Sequence, residues 1–113
     1  MQSFAEFQIF GWVGSVTPVG DTLRVKVCAN YAWTDKDQSV REEEYWNEVT
    51  IFKPGIKKFV SEAVGKGDRV MARGRMRDES FETKSGEKKW ATARYADEFS
   101  LVTKSRAAPL SDD

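Results

Sequence analysis

The chain has 113 residues, 40% of them apolar and 32% charged, with 18 basic and 18 acidic side chains and no histidine. That size and balance describe one folded domain with a modest core rather than a disordered chain. The missing histidines exclude a His general base and any Ser/His or Cys/His pair, and with Cys28 the sole cysteine they argue against a zinc site of the usual ligand type. Neither a Walker-type glycine loop nor a calcium-loop pattern is present, so no enzymatic activity and no cofactor are expected. Cys28 reads as a small buried hydrophobe, and a lone cysteine fits a reducing cytoplasmic compartment. No apolar run reaches membrane-spanning length, and Met1 to Glu6 does not resemble a secretory leader.

Zero net charge conceals an uneven distribution. Residues 1–52 carry 4 basic and 8 acidic side chains, whereas residues 53–106 carry 14 basic and 8 acidic. The second half therefore presents a positive local field, which matters more for an anionic ligand than the total.

Residues 7–16 read as a first strand, with Gly11 and Gly14 marking a bend or bulge. Pro18, Gly20 and Asp21 make a turn. Residues 22–33 alternate Leu23, Val25, Val27, Ala29 and Tyr31 against Arg24, Lys26, Cys28 and Asn30, the period-2 signature of a strand. Thr34 to Glu44 is continuously polar and reads as a long hairpin loop. Residues 45–53 form a third strand, with Tyr45, Val49 and Ile51 on one face and Trp46, Glu48, Thr50 and Phe52 on the other. Pro54-Gly55 ends it. Ile56, Phe59, Val60, Ala63 and Val64 then follow helical spacing, with Gly65 as the expected left-handed residue closing the helix.

A fourth strand spans 69–77. It sets Arg69, Arg73, Arg75 and Arg77 on one face and Val70, Ala72 and Met76 on the other. Asp78 to Lys89 reads as a polar hairpin with its tip at Ser85-Gly86. A fifth strand covers 90–102, bulged near Ala96-Asp97-Glu98. The domain is expected over 1–104, followed by a flexible tail over 105–113.

Three strands, one helix and two strands make an all-β chain with one short helix between strands three and four. This is the plan of a five-stranded Greek-key OB-fold barrel, although a β-rich α+β sandwich shares the element order. Trp33, Trp46, Phe52 and Phe81 are the candidate stacking rings. An arginine ladder beside exposed rings suits a single-stranded nucleic-acid groove, where cations follow phosphates and rings stack on bases. The structural alternatives are core rings and a charged edge that resists aggregation.

Several segments resemble the bacterial and phage single-stranded-DNA-binding proteins. These are Ile9-Phe10-Gly11-Trp12-Val13-Gly14, Ala29-Asn30-Tyr31-Ala32-Trp33, Tyr45 through Phe52, Val64 through Val70 and Ala72 through Arg77, spread over about residues 7–103. The resemblance implies base stacking on Trp33, Trp46, Phe52 and Phe81. It implies phosphate pairing by Arg73, Arg75, Arg77, Lys84, Lys88 and Lys89, with Lys53 and Arg24 as further cations. It also implies single-stranded DNA as partner, little sequence preference, a part in replication, recombination or repair, and a homo-oligomer, tetramer or dimer.

The chain departs from that pattern in four places. Phe81 stands where tryptophan is common. Trp46-Asn47-Glu48 replaces the usual Trp-His-Arg, and Glu48 would repel phosphates. Trp12 takes a position usually polar or basic and is a candidate extra ring. The end, Pro109-Leu110-Ser111-Asp112-Asp113, lacks a terminal aromatic, which weakens the case for recruiting partner enzymes. A dimeric accessory OB protein bridging replication or DNA-transfer partners, or an RNA-binding OB module, shares most of these features.

Overall fold

The structure is a computed structural model and describes residues 2–105. Five strands and one helix follow the order β1 (Glu6–Val19), β2 (Thr22–Thr34), β3 (Val40–Ile51), α1 (Pro54–Ala63), β4 (Arg69–Glu82) and β5 (Lys88–Thr103). The strands close into a barrel in the order β1-β2-β3-β5-β4, with β1 also paired to β4. The helix lies between β3 and β4, as the OB-fold plan requires. Of the flexible tail expected over 105–113, all but Ser105 lies outside the described residues.

Alternation along the strands builds the interior. Phe7, Ile9, Val13, Leu23, Val25, Val27, Val49, Ile51, Val70, Ala72 and Ala96 point inward and are buried, which is the period-2 pattern carried into packing. Val60 and Val64 close the barrel beneath α1, with Ile56 packed against the same core. Pro54 stands in the first turn of α1, where its missing N–H costs nothing. Lys57 Nζ donates to the Asp21 carbonyl at 2.6 Å and ties the helix to the β1–β2 turn.

Two bulges lie where the sequence placed them. The β1–β2 register shifts between Val13 and Ser15, at Gly14. The β4–β5 register shifts between Arg73 and Gly74, where Asp97 is the extra residue. The helix ending differs from expectation. Val64 caps it in an extended conformation (φ −116°, ψ 133°), and it is Gly67, not Gly65, that takes positive φ, at 89°. The turn is held instead by Asp68, the one buried charged residue among those described. Its carboxylate accepts from the Gly65 amide (2.8 Å), the Ser105 amide (2.7 Å) and Lys104 Nζ (2.8 Å). Those bonds outweigh the upward push of burial and hold Asp68 below the usual carboxylate range.

The hairpins are longer than the sequence pattern indicates. β3 begins at Val40, so the β2–β3 loop is only residues 35–39. There Asp35 accepts from the Asp37 and Ser39 amides and pairs with Arg41 at 2.7 Å. β4 runs to Glu82 and β5 starts at Lys88, which turns most of the expected polar loop into strand. Both arms extend beyond the barrel with both faces wet, and inside/outside alternation vanishes there.

Candidate nucleic-acid interface

β3 and β5 are neighbours in the barrel, yet their parallel pairing is confined to Thr50 and Tyr95. From that point the two strands separate towards their hairpin tips and leave a groove of about 520 Å³. One wall is the outer face of β2 and β3: Arg24, Glu48, Thr50 and Phe52. The other is the β4–β5 arm, including Glu79, Phe81, Ala91, Ala93 and Tyr95. Phe52 and Phe81 are half exposed. The Phe52 and Tyr95 rings lie 5.2 Å apart at 30°, forming a near-parallel platform at the vertex. Beyond it the groove continues past Arg75, Met76 and Arg77 to Ser3, Phe4 and Ala5.

Trp46 lies on the same outer face of β3, two pleats from Thr50, and is half exposed. Its position depends on Gly14. A Cβ at that bulge would collide with the Trp46 ring, so the absence of a side chain lets the indole lie down on β1. Trp12 contacts it edge-on, with centroids 6.1 Å apart at 66°. Cys28 is in register with both Trp12 and Trp46 and is fully covered. Burial pushes its thiol pKa up, in line with the inert reading of that residue. Trp12 therefore supports Trp46 from β1.

Trp33 does not join this face. The β2–β3 register is unbroken from Leu23↔Ile51 to Thr34↔Val40, so Trp33 and Tyr31 continue the side on which Leu23, Val25 and Val27 point inward. Past the barrel rim that side opens. Tyr31 and Tyr45 meet edge to face at 5.3 Å, and Trp33, Glu43 and Asn47 complete a second, separate depression. Tyr45 donates to Glu43 at 2.9 Å, which raises the phenol's pKa.

The arginine ladder is present on the outer face of β4, and each of its members has an intramolecular partner. Arg73 pairs with Glu98 at 2.7 Å, Arg75 with Asp97 at 3.5 Å and Arg77 with Glu79 at 2.7 Å. Arg69 lies 5.5 Å over the Phe10 ring. Lys53 shares Asp97 at 3.0 Å, and this contact holds the Asp97 carboxyl below its ordinary range. Tyr95 Oη donates to Glu79 at 2.6 Å, while Arg77 lies 5.2 Å over the Tyr95 ring. The Tyr95 hydrogen bond and then Arg77 depress the Glu79 pKa, and the same bond raises that of Tyr95. Arg24 reaches Glu48 Oε1 at 3.3 Å.

The lysines divide between the two faces of the β4–β5 arm. Lys89 is in register with Phe81 and so shares its groove side. Lys88 lies on the opposite side, 5.4 Å over the Trp90 ring. Lys84 is in the turn beyond β4. Tyr95 is a groove ring that is not among the stacking candidates drawn from the sequence. Its signal was alternation with Ala91 and Ala93, which place it on the outer face once the bulge at Asp97 is respected.

The geometry defines an OB barrel with an aromatic, mixed-charge groove on one face. The family model "Single-strand binding protein family" matches residues 13–102, and the chain belongs to that family. It is 28% identical over 111 residues to single-stranded DNA-binding protein 1 of Xylella fastidiosa, covering 92% of this chain and 81% of that protein. It is 30% identical over 77 residues to the mitochondrial single-stranded DNA-binding protein of Drosophila melanogaster, covering 68% of this chain and 51% of that one. The barrel superposes on the Plasmodium falciparum SSB in a complex with ssDNA with a TM-score of 0.74 at 18% identity, over 92% of this chain and 97% of that chain. No helix among the described residues is long and apolar enough to cross a membrane.

Proposed function

We propose that this chain binds single-stranded DNA along the groove that opens between β3 and the β4–β5 arm, and by coating strands serves replication, recombination or repair. The observation that carries this reading is the convergence of Phe52, Tyr95 and Phe81 with Arg24, Arg75 and Arg77 around one cleft. Bases stack on the rings, and Trp46 extends the row along β3. Phosphates take Arg75 and Arg77 in exchange for Asp97 and Glu79, with Lys89 beside Phe81. Each stacked base is worth about 1–3 kcal/mol, and each neutralised phosphate adds about −0.7 to the salt slope. Lys84, Lys88, Arg73 and Trp33 lie off this path and contact DNA only where a longer strand wraps past the hairpin tips.

The outer face of β1 and β4 supports self-association. Phe10 is half exposed and in register with Met71, next to Trp12. Burying that strip against a second copy removes apolar surface from water, and sedimentation velocity measures the resulting mass.

Tryptophan fluorescence during titration with a mixed-sequence single strand tests the DNA reading. Quenching at low salt that weakens as salt rises supports it. Unchanged fluorescence and anisotropy at low salt would overturn it in favour of a protein-bridging OB module.

A further inference from the structure

We infer that Glu48 makes the groove choose among bases, favouring those that carry an exocyclic amino group over thymine. The inference rests on the reading that single-stranded DNA occupies this groove, and it extends that reading from affinity to selectivity.

Glu48 stands on the outer face of β3 between two exposed rings, Trp46 on one side and Thr50 then Phe52 on the other. Same-face neighbours on a strand are about 6.7 Å apart, so a base lying on Trp46 turns an edge towards the Glu48 carboxylate. Repulsion of phosphate alone would make this side chain a defect. Its setting gives it another use. Lys26 faces it in register on β2, and Arg24 reaches it diagonally at 3.3 Å. The bond to Arg24 uses Oε1, and the side chain keeps 41% of its surface exposed inside the groove lining. The carboxylate is thus anchored from the β2 side while its remaining surface faces the space where bases would stack.

An ionised carboxylate only accepts hydrogen bonds. Cytosine offers it the N4 amino group and adenine the N6 amino group. Thymine presents the O4 acceptor at the corresponding position, where two lone-pair-bearing oxygens repel, and its one edge donor, N3–H, lies between O4 and O2, so a carboxylate approaching it meets an acceptor on either side. Cytosine and thymine have similar ring areas, so stacking separates them little and the edge contact decides between them. Glu79 on the opposite wall accepts two hydrogen bonds on Oε2, from Tyr95 and Arg77, whereas Glu48 accepts one and shares the strand face of Trp46, which makes Glu48 the carboxylate placed to meet a base stacked on that ring.

The test compares the full chain and Glu48→Gln on oligo-dC and oligo-dT of about 16 nucleotides, at neutral pH and fixed salt. The isosteric amide removes the charge and adds a donor that suits thymine O4. Wild type is expected to bind dC about fivefold more tightly than dT. Glu48→Gln is expected to gain affinity for dT and to bring the dC/dT ratio within about twofold, with an unchanged melting temperature. Equal wild-type affinities would overturn the inference. So would a variant that tightens on both strands by the same factor, because that is phosphate repulsion without base choice. Binding of neither strand would overturn the DNA reading itself and this inference with it.

Discussion

Replacing Gly14 with alanine tests whether a side chain that touches no ligand sets the position of one that does. The Cβ of Gly14→Ala would fall on the six-membered ring of Trp46. The clash is with the far end of a side chain, so the indole swings off β1 while the barrel persists. Gly14 lies outside the left-handed region, and alanine is conformationally acceptable there. Trp46 is 50% exposed. The covered half of a tryptophan side chain is about 100 Å², worth about 2.5 kcal/mol if all of it were lost. A swung ring keeps part of that cover against Trp12, and the lower unfolded-state entropy of alanine returns about 0.4–1 kcal/mol. The melting temperature should therefore fall by only a few degrees. Binding should weaken more, because displacing a stacking platform costs about 1–3 kcal/mol, or roughly 5- to 150-fold. The assay is a fluorescence titration with single-stranded DNA on Gly14→Ala, Trp46→Ala and the double variant. Gly14→Ala should cost no more than Trp46→Ala, and the double variant should match Trp46→Ala alone. If Gly14→Ala weakens binding further in the Trp46→Ala background, the glycine acts through something other than the ring and the reasoning fails.

The remaining predictions concern charge. Glu79→Gln releases Arg77 from its carboxylate, so DNA affinity should rise and the salt dependence steepen; a flatter salt plot would remove Arg77 from the phosphate path. Arg75→Ala should lower affinity and make the slope of log K against log salt shallower by about 0.7, measured by titration at several salt concentrations. Asp68→Ala removes the acceptor shared by Gly65, Ser105 and Lys104 and should cost about 2–4 kcal/mol in denaturant unfolding. Asp68 also contributes an acid limb to the stability profile. Its folded pKa is depressed, so its contribution is complete above the unfolded value of about 3.9 and is lost as pH falls below that towards the folded value. Wild type should lose stability over this window, and Asp68→Asn should show a shallower fall.

The barrel was legible where one face of a strand meets the core. β2 alternates without interruption from Leu23 to Val27, and the helix shows its apolar face at Ile56, Val60 and Val64. The bulges at Gly14 and Asp97 were visible as a glycine and as a break in alternation, whereas the shift between Arg69 and Val70 was not. The hairpin arms were not legible, because Glu42, Glu43 and Glu44 on β3 and Asp78, Glu79 and Ser80 on β4 have water or groove on both sides, and local pattern reports burial rather than pairing. The groove was half legible. Trp46, Glu48, Thr50 and Phe52 share a face by parity alone; alternation also puts Tyr95 on one face with Ala91 and Ala93, but what brings that face to Phe52 is the parallel pairing of Tyr95 with Thr50, which no local window contains. Parity also carried the clue to Trp33, since it matches Val25 and Val27 and not Trp46. The carboxylates opposite Arg73 and Arg75 come from β5, and their neutralising effect follows from a register fixed by the Asp97 bulge.

The most direct test of the groove is backbone amide shift mapping of the full chain with and without a single strand. DNA lying between β3 and the β4–β5 arm predicts the largest changes at Glu48 to Phe52, Glu79 to Phe81 and Ala91 to Tyr95, with Ile56 to Glu62 on the helix unmoved. Changes concentrated instead on Tyr31, Trp33 and Tyr45, with the groove silent, would contradict it.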